Sequence, residues 1–503
     1  MPASTVVIGV DSSTQSTKAA FTDAATGRLI AVGRAPHRVT GEGGARESDP
    51  EAWWHALREA VALGLKELRG LGIGASAVTG IAVAGQQHGL VVLDRTGAPL
   101  RPALLWNDTR SAPQATALTE AFGGPEAWTA RTGSVPVASM TAAKWQWLRE
   151  NDPASADAAA AVRLPHDFLT ERLAGVAATD PGDASGTCWY STATGAYDPE
   201  LLDLVGLDAA LLPSVAPTGG TRVGSLTTSA AAELGLPAGI AVAAGTGDNM
   251  AAAVGLGLGG AGLLDHPVLS LGTSGTVFAA SRTRPASPAL AGFAAADGTY
   301  LPLACTLNCT LAVDKVASLL GLDRDAAEAG GEVVVLPYLD GERTPDLPAA
   351  SGLLTGLRHT TTRQQILGAA YEGAVVTVLR ALDEVMRACG QDPAAPETAT
   401  RPLRLVGGGA KGRHWVETVR RMSGRPLLIP AATELVALGA AALAAAAATG
   451  ATGADAVDAV ELAAGWQSGS GRELEPVERD TKTWERVSSV LAEVEEARGE
   501  RVG

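Results

Sequence analysis

Several apolar strands in this chain stop abruptly at clusters of glycine, serine, threonine and aspartate, and they do so in both halves. Val6 to Val10 ends at Asp11-Ser12-Ser13-Thr14, and Ile240 to Ala244 ends at Gly245-Thr246-Gly247-Asp248. Val268 to Leu271 is halted by Gly272-Thr273-Ser274-Gly275, with Val277 to Ala280 resuming. Pro402 to Val406 ends at Gly407-Gly408-Gly409-Ala410, ahead of a helical pattern with Trp415 and Val419. Such ends set backbone N–H groups, small hydroxyls and helix N-termini side by side where no Cβ obstructs them, which suits phosphate oxygens. A single turn of this kind is ordinary turn chemistry. Their recurrence sets a nucleotide site against that plain reading.

The opening reads as a β-meander. Lys18 to Thr22 and Arg28 to Gly33 continue the strand pattern across a turn at Asp23 to Gly27, unlike the strand-then-helix start of a dinucleotide-binding fold. Asp49-Pro50 starts a helix expected to run through Trp53 and Trp54 to about Leu71. Val78 to Ala84 is another apolar strand, stopped by Gly85-Gln86-Gln87-His88-Gly89. Because the strand, polar turn and strand of the opening recur in outline from Ile240, a duplicated α/β core is expected, with its boundary near residues 240 to 247. Thr481 to Arg498 has helical periodicity with alternating charge and reads as a surface helix.

Composition removes several classes. The chain has 503 residues, 46% of them hydrophobic and 18% charged, enough for two large domains or three ordinary ones. With 39 Lys plus Arg against 54 Asp plus Glu, the net charge is −15, a poor match to nucleic acid or anionic membrane. Four cysteines without a C-x-x-C pair supply neither a disulfide framework nor zinc-ligand spacing. Met1 to Thr5 offers no basic segment before an apolar run, so no signal peptide is expected. The Ala-rich run Ala437 to Ala448 falls short of the roughly twenty residues that a bilayer span requires. A cytoplasmic protein without nucleic-acid or membrane partners is expected.

Short catalytic signatures are missing. No lysine follows a glycine, so there is no P-loop, and neither H-E-x-x-H nor G-x-S-x-G occurs. Gly257 to Gly262 fits G-x-G-x-x-G, but it follows a helix-like stretch and reads as a tight connection. Asp11 and Asp248 are the carboxylates most suggestive of chemistry, each at or just beyond the end of an apolar strand. As plain residues they would be turn or cap aspartates. As functional ones, a carboxylate near phosphates holds Mg²⁺ and its waters, and one beside a substrate hydroxyl accepts its proton. His88 is either a satisfied loop histidine or a polar substrate contact. Trp53, Trp54, Trp145 and Trp147 read as packing. Trp106-Asn107-Asp108-x-Arg110 sets an aromatic plane beside amide, acid and guanidinium, which fits a polyol or, equally, a buried structural network.

In this order the motifs resemble the FGGY carbohydrate kinase family, and within it the members that phosphorylate xylulose. Ile8 to Lys18 (IGVDSSTQSTK) looks like the family's phosphate-binding first hairpin. Ser139 to Asn151 (SMTAAKWQWLREN) fits one family signature, and Gly352 to Leu357 with Gln365 to Glu372 fits a second. Glu47 to Trp54, Gln86 to Gly89, Leu105 to Arg110, Gly247 to Asn249 and Leu336 to Pro345 carry the xylulose flavour, and the match runs from about residue 6 to 450.

The resemblance implies an α/β protein of two duplicated actin-like ATPase (ribonuclease H-like) domains with an interdomain cleft. Residues 1–245 would hold the sugar and the phosphate hairpin, 246–450 would hold the nucleotide, and 451–503 would be a helical extension. It implies ATP-dependent phosphorylation of D-xylulose at O5, with Asp248 as the base. Gln87, His88, Trp106, Asp248 and Asn249 would contact the ketose, and Asp11 would act at the Mg²⁺–phosphate site. Thr14, Gly272 and Thr273 would lie near the phosphates, and Gly408, Gly409 and Ala410 at the adenosine. The expected partners are a small ketose and ATP, with a homodimer allowed. Ser13, Ser16 and Thr246 stand where relatives commonly carry glycine, and Gln87 where they carry methionine. The alternatives are a kinase of the same family for another ketose or polyol, such as L-ribulose or glycerol, and a non-catalytic sugar-sensing actin-like protein.

Overall fold

The computed structural model describes residues 5–260, 262–345, 347, 349–451 and 453–502. Met1 to Ser4, on which the signal-peptide expectation rests, and Ala261 of the G-x-G-x-x-G run lie outside them.

Strand Val6–Ser12 is buried along its whole length. It forms an antiparallel hairpin with Ser16–Asp23, setting Asp11 opposite Lys18, and Leu29–Pro36 continues the meander. On its other side it runs parallel to Val78–Gly85, which in turn runs parallel to Ala241–Ala243. Arg222–Ser225 closes that edge antiparallel, and Thr246–Gly247 extends the pairing at the end of Val78–Gly85. The second sheet repeats the plan: Val268–Leu271 with Gly275–Phe278 and Tyr300–Thr306 as the meander, then Leu403–Val406 and Leu427–Pro430 in parallel on the other side. Both seven-stranded sheets therefore hold their first five common strands in the order third, second, first, fourth, fifth.

One reading of the repeat changes. The strand expected at Ile240 to Ala244 completes the first sheet instead of opening the second, whose hairpin begins at Val268. The cause is burial: Ala241–Ala243 is covered on both faces, as parallel strands are, so its apolar run alone does not tell an opening strand from a fifth one.

The expected first helix spans Pro50–Gly70, with the Asp49 side chain accepting from the Glu51 N–H and Pro50 in the first turn. Helix Leu435–Ala448 has no polar face and is buried almost throughout. Its small side chains let it lie directly on the first sheet. A Cβ on Gly9 would stand 1.9 Å from the Ala437 carbonyl oxygen, so only glycine permits that approach. The same helix crosses Asp248–Gly255 equally closely, where a Cβ on Gly439 would stand 1.8 Å from the Ala251 carbonyl oxygen. A strand, Gly471–Leu474, adds antiparallel to the edge of the second sheet before helix Thr481–Val502. That helix is not purely a surface element, because Val487 and Leu491 are buried in the second core.

Candidate active site

The carboxyl ends of the parallel strands carry the candidate residues in both sheets, which is where ligands of open α/β sheets sit. In the first sheet Asp11, Gln86 to His88, and Thr246 to Asp248 all follow from adjacent strand ends, since Ser12 lies opposite Gly85 and Gly247 pairs with Gly85. Asp248 begins helix Asp248–Gly255. Its Oδ1 accepts from the Asn249 backbone N–H at 2.8 Å and from Asn249 Nδ2 at 3.2 Å. Burial, together with the negative charges of Asp11 and Asp183, pushes its carboxyl up to about 7.

Asn249 Nδ2 also donates to Gln87 Oε1 at 2.7 Å. Gln87 Nε2 is buried with no protein partner, so the side chain holds one donor in reserve at a position where an unmade hydrogen bond is costly. His88 stands at φ 64, and its Nδ1 lies 3.0 Å from the Gly186 carbonyl oxygen. Burial, with the charges of Lys144 and Arg343, lowers its pKa to about 3, so the ring is neutral. A neutral ring facing a carbonyl through Nδ1 donates there and leaves Nε2 as an acceptor. The backbone of Gly186 fits under this ring only because it lacks a side chain: a Cβ would lie 2.4 Å from His88 Nδ1.

Trp106 is 44% exposed, and its Nε1 donates to Thr14 Oγ1 at 3.1 Å, which joins the Trp106 loop to the first hairpin. The rest of its motif is structural. Asp108 accepts from Arg110 and from the Arg46 N–H, while Arg110 also pairs with Glu47 and lies 4.3 Å over the Trp147 ring. Asp11 is 5% exposed and takes an ion pair from Lys18 at 3.2 Å. Burial raises its pKa, and Lys18 holds the rise in check.

The second sheet gathers the remaining candidates. Gly272 and Thr273 lie in the turn after Val268–Leu271, and the Gly272 carbonyl accepts from the Thr310 N–H (3.1 Å) and Oγ1 (2.7 Å) at the start of helix Thr310–Leu320. Gly409 lies on Leu271 so closely that a Cβ would stand 2.7 Å from the Leu271 Cβ. Gly408 and Gly409 line a cavity of about 500 Å³ together with Arg324, Tyr371, Lys411 and Arg413, and Ala410 is buried behind it. Asp325, His414 and Trp415 complete its wall, so the cavity offers aromatic rings and an excess of cations over one carboxylate, which suits a flat base attached to an anionic chain. The candidates thus form two groups, one at each set of strand ends.

Four ionisable residues beside Asp248 escaped the sequence reading: His166, Asp167, Asp180 and Asp183, all fully buried or 1% exposed. His166-Asp167 opens a helix and Asp180-Pro181-Gly182-Asp183 looks like a turn, so only burial marks them. Lys18 and Glu434, 2.8 Å apart, were missed as a pair because 416 positions separate them.

Residues 6–255 match the N-terminal domain, and 268–448 the C-terminal domain, of the FGGY family of carbohydrate kinases. A xylulose kinase of Streptomyces coelicolor is 56% identical over 97% of this chain and 96% of its own. One from Streptomyces rubiginosus is 55% identical, again over 97% of this chain and 96% of its own. The crystal structure of xylulose kinase from Bifidobacterium adolescentis superposes with a TM-score of 0.81 at 34% identity, covering 97% of this chain and 99% of that one. The chain belongs to the FGGY family of carbohydrate kinases, and it is a carbohydrate kinase.

Proposed function

We propose that this kinase transfers the γ-phosphoryl group of ATP to O5 of D-xylulose, in a cleft between the two halves. The observation that carries the reading is Asp248: a carboxyl held near neutrality, at a helix start, hydrogen-bonded to the Asn249 that also ties down Gln87. A general base works best with a pKa near the operating pH. In the reaction Asp248 accepts the proton of the O5 hydroxyl as that oxygen attacks the γ-phosphorus, and the bond to the departing ADP breaks. Gln87 Nε2 donates to a sugar oxygen, His88 Nε2 accepts from a sugar hydroxyl, and the Trp106 ring covers a CH face. Asn249 holds Gln87 and Asp248 in register.

Thr14, Gly272 and Thr273 serve the phosphates, and Gly408, Gly409 and Ala410 the adenosine. In this reading residues 1–245 and 246–450 are the two working domains, and 451–503 extends the second. Among the described residues no group of three His, Cys, Asp or Glu is gathered for a metal. A single buried carboxylate such as Asp11, whose Oδ2 is paired with Lys18, fits Mg²⁺ held mostly by phosphates and water, the usual habit of that ion. Bound there, Mg²⁺ would neutralise charge on the phosphates. Cytoplasmic placement and a homodimer belong to the same reading; among the described residues no helix is long and apolar enough to cross a membrane.

The 55–56% identical xylulose kinases favour the ketose over other acceptors. A coupled ADP-release assay across pentuloses, hexuloses and polyols tests it. D-xylulose is expected to give the highest kcat/KM, and a strong preference for L-ribulose or glycerol would overturn the substrate. Sugar that leaves ADP release unchanged would favour a sensor instead.

A further inference from the structure

Behind Asp248 lies a buried ionic group that the phosphoryl transfer described above does not use. His166, fully buried in helix Pro165–Ala174, stands 2.7 Å through Nδ1 from Asp183 Oδ2 and 3.3 Å through Nε2 from Asp167 Oδ1. Only the Nδ1 contact is a hydrogen bond; the Asp167 carboxylate acts on the other side of the ring through its charge. Burial opposes a charge on the ring, but Asp167, Asp183 and Asp180 outweigh it and push the pKa up to about 9. Asp183 Oδ1, Asp167 Oδ1 and His166 Nε2 are each buried without a protein hydrogen-bond partner.

Asp180 connects this group to the backbone that carries Asp248. Its carboxylate accepts from the N–H groups of Gly182 and Asp183, each at 3.0 Å, and from Thr246 Oγ1 at 2.7 Å. Thr246 lies two positions before Asp248. Contact is close all along the segment: a Cβ on Gly182 would fall 2.9 Å from both Thr246 Oγ1 and Met250 Cγ. A few residues on, the Gly186 carbonyl holds His88. One short stretch, Asp180 to Gly186, therefore braces both the strand end that presents Asp248 and the proposed sugar-binding histidine.

The charged groups around Asp248 come from two directions, and a neutral amide from a third. Asp11 faces it from the first strand, with Lys18 and Glu434 behind. Asn249 supplies amide donors from its own helix. Asp183 faces it from the short helix Pro181–Ala184, backed by His166, Asp167 and Asp180, with Tyr190 in range of Asp180 and Tyr197 in range of Asp167. Three carboxylates share one imidazolium, so the group leaves negative charge beside the base.

We infer that Asp183, held by His166, and Asp180, held by the Gly182 and Asp183 N–H groups, are positioning residues for Asp248: Asp183 keeps a second negative charge behind the base, and Asp180 fixes its strand end through Thr246. The inference rests on Asp248 being the base. A nearby negative charge disfavours the ionised form of a carboxyl and so makes its anion a stronger proton acceptor. Thr246 is the handle by which Asp180 acts in this chain.

The test uses the full-length enzyme and follows kcat and KM for D-xylulose against pH, with urea unfolding beside it. Asp183→Asn is expected to move the acid limb of kcat/KM down by about one pH unit and to lower kcat about tenfold, with KM little changed. A limb that stays in place in a folded Asp183→Asn enzyme would overturn the inference. Thr246→Val, which keeps the volume and removes the donor to Asp180, is expected to lower kcat without moving the limb, and Thr246→Ser to restore it. Unchanged kcat in Thr246→Val overturns the role of Asp180, and that variant serves even where Asp183→Asn fails to fold. Asp248→Asn separates the two ideas: retained turnover overturns the base assignment and this inference with it, whereas a dead Asp248→Asn beside an unshifted Asp183→Asn sinks only the positioning role.

Discussion

Lys18 Nζ stands 2.8 Å from Glu434 Oε2 and 3.2 Å from Asp11 Oδ2, so one ammonium joins the first strand to the residue that caps the Ala-rich helix of the other half. Burial opposes its charge, and the two carboxylates outweigh burial and raise its pKa. Asp11 depends on it in return, because the cation offsets the rise that burial imposes on that carboxyl. Replacing Lys18 by Met should let the proton affinity of Asp11 climb. Turnover at neutral pH is expected to fall about tenfold, with the loss on the acid side starting at a higher pH and the Mg²⁺ requirement increased. A Mg²⁺ titration of kcat at two pH values checks it, and wild-type behaviour at both would remove Asp11 from the metal–phosphate site.

Among the described residues Trp106 is the one exposed tryptophan, and a hydrogen bond to Thr14 ties it to the first hairpin. Trp106→Ala is expected to raise KM for the ketose about tenfold while changing stability by less than about 0.5 kcal/mol, since surface truncations away from caps and cores cost little. Trp106→Phe keeps the ring and loses the donor, so comparing the two separates stacking from the tie to Thr14. Equal KM in all three enzymes would exclude Trp106 from the sugar site.

The carboxyl of Asp248 is pushed up to about 7 by burial and by its acidic neighbours, and to serve as the proposed base it must be ionised. Activity should therefore be full above that value and fall as pH drops through it, tending to tenfold per unit. A kcat/KM profile reads this directly. An acid limb near an ordinary carboxyl value would mean that Asp248 is not the titrating base.

What could be read from the chain follows from distance in sequence. The strand-ending turns, the meander and the Asp49-Pro50 helix start are local patterns, and Asp11, His88 and Asp248 were singled out from them, whereas the role expected of Gln87 came only with the family resemblance. Assigning Ala241–Ala243 to the first sheet could not, because it depends on a partner strand at Gly80 to Ile81. Trp106-Asn107-Asp108-x-Arg110 was legible as a motif but not as a division of labour: Asp108 and Arg110 turn inward to Arg46, Glu47 and Trp147, while Trp106 turns to Thr14. The His166 group stayed hidden because turn and cap aspartates look alike until burial tells them apart.

Gly439 links the helix bearing Asp248 to the Ala-rich helix, where a Cβ would stand 1.8 Å from the Ala251 carbonyl oxygen and 2.9 Å from the Gly255 N. Backbone, unlike a flexible side chain, cannot yield at that contact. Gly439→Ala should force the helices apart at a cost of about 3 kcal/mol, and kcat should fall as Asp248 shifts with its helix. Urea unfolding and a single kinetic run check both halves of the expectation, and a variant of unchanged stability would show that the crossing is looser than its geometry.

The buried imidazolium of His166 makes stability depend on alkaline pH. Its folded pKa of about 9 lies above the ordinary 6.5, so the folded state binds a proton that the unfolded chain has released. The contribution is complete below the unfolded value and is lost as pH rises through the folded one. A gap of that size corresponds to about 3 kcal/mol at most. Burial raises Asp167 and Asp180 to about 6 from 3.8, so they too hold protons longer when folded, and their share is lost at lower pH, before that of His166. These three terms have the same sign, whereas Lys144, lowered by burial to about 7, and His88 and His266, lowered to about 3 and 4, act in the opposite sense, so the His166 term is read as the difference between wild type and a variant at each pH. His166→Gln leaves Asp183 buried without its cation, which costs roughly 3–5 kcal/mol at neutral pH, and this deficit should shrink as pH rises through the folded value of about 9. A variant that keeps the wild-type midpoint at neutral pH, or the wild-type slope above it, would show that the ring is not charged in the folded protein.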